Sequence, residues 1–246
     1  MSGYGGKNAA EGMGIELGAI AHELKAPLAI IAQLAASIED EQLLGVTPAE
    51  RKQTLERIRL SAERTLRLVQ SLALSQQLAK NDQMFALDLE PLNTMRLCEE
   101  TIHELLPLAA AHGQTIELRA NGRSPLSVGN NELVRSIFIN LVDNAIKHNP
   151  PETAVMVDVG RHASLVHVRV SDTGAGLRPR DFRQLQETLG RQVQPLHGRS
   201  GSSGLGLYIA GTMAEAMGGR LSLRRPKVGL AFQLDLLHSR QLSFLS

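Results

Sequence analysis

Apolar residues recur along the first third of the chain at alternating steps of four and three. Leu17, Ala21, Leu24, Leu28, Ile31, Ala35 and Ile38 form one such row. This is the seam of a helix that packs against another helix, and it predicts a helix from residue 13 to about 40. Gly45 and Pro48 interrupt the row. Thr47-Pro48-Ala49-Glu50 then reads as a helix start, with threonine as N-cap, proline in the first helical position and glutamate in reach of the cap. A second row, Leu55, Ile58, Ala62, Thr65, Val69 and Leu72, predicts a helix to about residue 80. Leu60, Leu66, Leu68, Leu74 and Leu78 fall off that row. The apolar surface is therefore wider than a two-helix hairpin buries alone, and pairing of two copies into a four-helix bundle would cover it. Packing against the rest of the chain is the alternative.

After the polar joint "AKNDQM" the pattern changes. Alternating runs, "MFALDLE", "QTIELRA", "AVMVDVG", "SLVHVRVSD", "RLSLRR" and "LAFQLDLL", predict strands. Helical runs lie between them at about 92–111, 130–147 and 204–217. This grammar predicts an α/β sandwich, one mixed sheet with helices on one face. The organisation expected is a flexible tail at 1–10, a helical hairpin at 11–80, a linker at 81–88, the α/β domain at 89–237 and a C-terminal tail at 238–246.

Composition narrows the choice of function. The chain is 43% hydrophobic and 21% charged, with a net charge of +1. That balance gives no general attraction to nucleic acid or to a membrane surface. Aromatic residues make up 3%, which disfavours base-stacking platforms. Cys98 is the sole cysteine, so an internal disulfide and a CxxC metal site are excluded. No run reaches the length of a membrane helix, and the N-terminus lacks the pattern of a secretory signal. These features predict a cytoplasmic location, with any membrane attachment residing in regions this chain does not contain.

Candidate chemistry begins at "IAHELKAPLAII", where His22 and Glu23 stand just off the apolar row. A neutral imidazole is a competent nucleophile, and a neighbouring carboxylate can fix its tautomer. Pro27 removes a helical hydrogen bond and predicts a bend beside them. An ordinary exposed histidine fits the same spacing. In "NLVDNAIKHN", Asn140, Asn144 and Lys147 are four and three residues apart and share a helix face. Two carboxamides and an ammonium suit a metal–polyphosphate ligand, because amide oxygens are hard donors and lysine neutralises phosphate. A merely polar helix face is the alternative, although asparagine is a poor helix former. In "SDTGAGL", Asp172 ends a strand ahead of Gly174 and Gly176, as a plain turn or as a carboxylate offered to an adenine amine. "GSSGLGLYIA" is a glycine-rich run into an apolar helix, whose backbone N–H groups suit phosphate. It lacks the lysine of a Walker loop.

Taken in this order, "HELKAPL", "NLVDNAIKHN", "DTGAG" and "GLGL" resemble the catalytic core of sensor histidine kinases, whose ATP-binding domain belongs to the GHKL superfamily. The resemblance covers residues 11 to 236. It implies a dimeric phosphotransfer hairpin followed by a GHKL α/β sandwich. It implies ATP-dependent autophosphorylation of His22 assisted by Glu23, then transfer to an aspartate of a response regulator receiver domain, with no nucleic-acid partner. It implies that Asn140 and Asn144 hold Mg²⁺ and that Lys147 and His148 lie at the nucleotide. It further implies that Asp172, Gly174 and Gly176 receive adenine, and that Gly204, Leu205, Gly206 and Leu207 lie at the phosphates under a mobile lid at 178–203.

The chain departs from the family pattern in three places, and its lid offers one match. Ala26 stands where members that dephosphorylate their regulators carry threonine or asparagine, which predicts weak phosphatase activity. His148 replaces a common aromatic residue, Ser202 replaces a common glycine, and Phe182 alone fits the lid's phenylalanine. A GHKL-type dimeric ATP-binding module without kinase activity is the rival reading. Asn140 stands where gyrase-like ATPases use a carboxylate to activate water, which argues against simple hydrolysis.

Overall fold

The computed structural model describes residues 7–44, 47–79, 87–121, 126–193 and 204–239. The chain divides into two units, one built on two long helices and the other an α/β layer structure. No helix among the described residues is long and apolar enough to cross a membrane.

The helical unit pairs α1 (Lys7–Leu44) with α2 (Pro48–Ala79). α1 is longer at both ends than the apolar row predicts, and it runs through Pro27 as one helix. The Pro27 carbonyl accepts a hydrogen bond from Ser61 Oγ at 3.2 Å, which ties the two helices together there. α2 starts as its sequence predicts. Thr47 N–H donates to Glu50 Oε2 at 2.9 Å and Glu50 N–H donates to Thr47 Oγ1 at 3.3 Å, a reciprocal capping box. Leu24, Ile31, Leu34 and Ile38 are half-buried on α1, and Ile58, Leu68 and Leu72 on α2. Leu28, Leu55, Leu66 and Val69 stay exposed, so the hairpin leaves part of its apolar surface uncovered.

The second unit runs β1 (Glu90–Asn93), α3 (Thr94–Ala111), β2 (Thr115–Asn121), β3 (Leu126–Gly129), α4 (Asn131–Lys147), β4 (Ala154–His162), β5 (Leu165–Asp172), α5 (Pro179–Thr188), α6 (Leu205–Ala216), β6 (Arg220–Arg224) and β7 (Ala231–Leu237). Five strands form a mixed sheet in the order β2-β4-β5-β7-β6, and β1 pairs with β3 separately. Only β2 and β4 are parallel in the large sheet; the other pairs are antiparallel. Alternation sets its two faces. Val155, Val157, Val159, Val166, Val168, Val170, Leu234 and Leu236 point one way and are buried. The intervening positions carry Asp158, His167, Arg169 and Asp235. α3 packs on α4 and β2, and α4 on β4 and β5. α4 carries much of the core through Leu133, Val134, Ile137, Phe138, Leu141, Val142 and Ile146.

Cys98 on α3 is fully buried, and burial with the nearby Glu99 charge pushes its thiol up to about 12.

Several elements differ from the sequence expectation. Of "MFALDLE", residues 87–89 are not in a strand and only its last residue, Glu90, is: β1 begins there and continues to Asn93. β3 and α5 are additional. α5 falls within the expected mobile lid, yet Asp181 and Leu185 bury it and Arg178 Nε pairs with Asp181 at 2.7 Å. Gly190, just beyond, is buried against Gly211 of α6; a side chain on Gly211 would meet the Gly190 Cα at 2.2 Å. The remainder of the lid, 194–203, lies outside the described residues. At the other end of the unit, His238 pairs with Ser127, and Ser239 N–H donates to Leu126 O at 2.8 Å.

Candidate functional site

α4 is the spine of the site. Asn130 caps it, its side chain accepting from Leu133 N–H at 3.1 Å. The apolar residues between Leu133 and Ile146 turn one face into the core. Asn140, Asn144 and Lys147 share another, half-buried face, the outcome of their four-and-three spacing.

The start of α6 meets that face. A side chain on Gly206 would lie 3.7 Å from Asn140 Oδ1 and 3.7 Å from Asn144 Nδ2. Three residues named from the sequence thus converge on one place. Asn140 Nδ2 is buried and has no hydrogen-bond partner among the described residues. Such a group costs free energy, which a polar ligand would relieve. Gly204 holds a positive φ of 75° just before the helix. Leu205 and Leu207, in the first turn of α6, are buried. Residues 201–203 of the glycine-rich run lie outside the described residues.

Asp172 ends β5 and is 4% exposed. Its N–H donates to Leu230 O at 3.0 Å, and its Oδ1 accepts from Gly174 N–H at 2.9 Å. The glycines beside it are required by the protein's own packing. A side chain on Gly174 would fall 1.8 Å from Asn149 Oδ1. One on Gly176, where φ is 69°, would fall 2.7 Å from Gly229 O. Gly229, at φ 77°, leaves only 1.8 Å between its own missing Cβ and Asp172 O. Asn149 and Gly229 are thus site-forming residues that the sequence reading missed. "HNP" and "KVGL" offered only turn signals. The close neighbours of Gly174 and Gly176 are Asn149 and Gly229.

His148 forms the C-cap of α4, its N–H donating to Asn144 O at 3.2 Å. Phe182 lies on α5, with the Arg225 guanidinium 5.5 Å above its ring. His22 and Glu23 belong to α1 in the helical unit, and Glu23 is half-buried. The side chain of His22 lies outside the described residues.

Two family profiles match the chain in tandem. The His Kinase A (phospho-acceptor) domain matches residues 13–79, and the histidine kinase-, DNA gyrase B- and HSP90-like ATPase matches residues 129–240. The chain belongs to the sensor histidine kinase family. A phosphate regulon sensor protein, PhoR of Pseudomonas aeruginosa, is 30% identical over 77% of this chain and 42% of its own length. The circadian input-output histidine kinase CikA of Synechococcus elongatus is 26% identical over 84% of this chain and 27% of its own length. The chain therefore spans less than half of either relative. Among solved structures, the Acinetobacter baumannii histidine kinase AdeS aligns with a TM-score of 0.57 at 17% identity, over 88% of this chain and 97% of that one. Histidine kinase ThkA, solved in complex with response regulator protein TrrA, aligns at 0.63 and 14% identity, over 95% of this chain and 64% of that one. At these identities the likeness concerns the fold.

Proposed function

We propose that the chain is an ATP-dependent protein histidine kinase that phosphorylates His22 and passes the phosphoryl group to an aspartate of a response regulator receiver domain. The observation that carries the reading is the convergence of Asn140, Asn144 and Gly206 on a buried, unpartnered amide. It stands in a chain whose α1 carries His22 beside Glu23. Asp172 receives the exocyclic amine of adenine. Lys147 and the backbone N–H groups at the start of α6 receive the phosphates. Asn140 and Asn144 would hold Mg²⁺ through their amide oxygens, and the bound ion supplies charge neutralisation at the phosphates. Asn140 offers its Oδ1 on the side of Gly206.

Phosphoryl transfer needs in-line positioning and charge neutralisation more than covalent chemistry. A nitrogen of the neutral His22 imidazole forms the new bond to the γ-phosphorus. The bond to the β–γ bridging oxygen breaks, and ADP leaves with that electron pair. Glu23 orients the ring and accepts the proton from its other nitrogen. The acceptor aspartate then takes the phosphoryl group from His22. The uncovered leucines of the hairpin favour a homodimer. ATP and a receiver domain are both cytoplasmic, which is where the reading puts this chain.

The test is incubation with γ-labelled ATP and Mg²⁺ beside His22→Gln and Asn144→Ala variants. The expected label is acid-labile, base-stable and absent from both variants. Nucleotide binding without label would instead favour the binding-module reading. Ala26 adds a second expectation. Alanine cannot hydrogen-bond a water, so dephosphorylation of a phosphorylated receiver domain should be slow, and faster in Ala26→Thr. Equally fast rates in both would sink that idea.

A further inference from the structure

α4 ends where the proposed nucleotide site depends on it. Lys147 is its last residue and His148 its C-cap. A helix end leaves its last four carbonyls without intrahelical donors. Here side chains from outside the helical turns meet two of them, Ala145 O and Ile146 O. Gln114, just ahead of β2, is 5% exposed. Its Nε2 donates to Ile146 O at 3.1 Å, Asn149 O at 2.8 Å and Pro150 O at 3.0 Å. Asn149 turns back on the helix, and its Nδ2 donates to Ala145 O at 2.8 Å. Asn149 Oδ1 occupies the space that a side chain on Gly174 would need. The backbone reinforces the junction: Glu152 N–H donates to Gly113 O at 2.8 Å.

The other half of the Gln114 amide is informative. Its Oε1 is buried and has no hydrogen-bond partner among the described residues. A buried amide oxygen without a donor is costly. An apolar side chain of similar volume would avoid that cost, so what distinguishes glutamine at this position is its donor side.

We propose that Gln114 is a positioning residue for the nucleotide site: it holds the last turn of α4, with Lys147 and His148, through a carboxamide clasp that Asn149 completes against Gly174. This rests on the reading of α4 and α6 as an ATP site. Gln114 acts on the fraction of molecules in which the last turn is formed. Without its donor, Ile146 O in the last turn and the Asn149 and Pro150 carbonyls just past it lose their partner, and the turn frays. A ligand that needs the formed turn then binds with an apparent Kd raised by the inverse of that fraction. Asn140 and Asn144 sit further back along the helix, so the site is weakened rather than lost.

The experiment compares the full chain with Gln114→Met, Asn149→Ala and Asn144→Ala. It measures affinity for a fluorescent ATP analogue, the number of sites per chain, and KM and kcat for autophosphorylation. Gln114→Met and Asn149→Ala are expected to raise the Kd on the order of fivefold to tenfold with the number of sites retained. The rise in KM should exceed the fall in kcat. An unchanged Kd, or fewer competent molecules at unchanged Kd, would overturn the clasp and leave a purely structural role. If Gln114→Met does not fold, Asn149→Ala decides by the same criteria. A native chain that binds no nucleotide ends the ATP reading and the clasp with it. Native binding that Asn144→Ala abolishes, together with unaltered clasp variants, ends the clasp alone.

Discussion

At the scale of single residues, Gly229 bears on Asp172 without adjoining it in sequence. Its missing Cβ is all that separates the Asp172 carbonyl from a severe overlap, and its φ of 77° disfavours any other residue. Gly229→Ala is expected to destabilise the α/β unit by about 2–4 kcal/mol, the range of strained backbone and overpacking. Urea denaturation checks this, and a loss below about 0.5 kcal/mol would show that the loop yields freely. Asn140, Asn144 and Lys147 were legible because helical spacing is local. Asn149, Gln114 and Gly229 were not, because each acts on a residue distant in sequence, and only the fold reveals such approaches.

At the scale of elements, the α2 start gives a direct test. Thr47→Ala removes the side-chain half of the capping box and should cost about 1 kcal/mol, read as a lower urea midpoint for the helical signal. An unchanged midpoint would mean that hairpin packing alone fixes the helix start. In the sheet, His167 on β5 faces Gly160 of β4 and Asp235 of β7. Partial burial lowers its pKa from the ordinary 6.5, helped by Arg169 and His162 and opposed by Asp235 and Asp158. A histidine whose folded pKa is depressed favours the fold in its neutral form. Its contribution is therefore present above 6.5 and is lost as pH falls through the lower folded value. Melting curves between pH 7 and 5 should show a shallower loss in His167→Gln than in the native chain; parallel curves would remove His167 from the explanation. α5 escaped the sequence reading for a similar reason of weak signal. "PRDFRQLQET" turns only Asp181 and Leu185 inward, so its polar surface reads as a loop.

At the scale of the whole molecule, the two kinds of periodicity separated the helical hairpin from the α/β unit, because the apolar face of each follows its own repeat. Strand ends and the four-residue β3 were less legible, since pairing across the sheet sets them. The hairpin also carries an assembly prediction. Leu28 is 53% and Leu66 59% exposed in the single chain. Substituting both with aspartate should shift the chain from dimer to monomer in light scattering, and a dimer that persists would point to another interface.

The isolation of Cys98 has a practical consequence. It is the one thiol in the chain, buried and held at about 12, so at neutral pH it is both protonated and out of reach. Cysteines introduced on the surface can then be labelled one at a time without first removing the native one. The slow modification of Cys98 itself becomes a clock, counting how often the α/β unit opens far enough to admit a reagent.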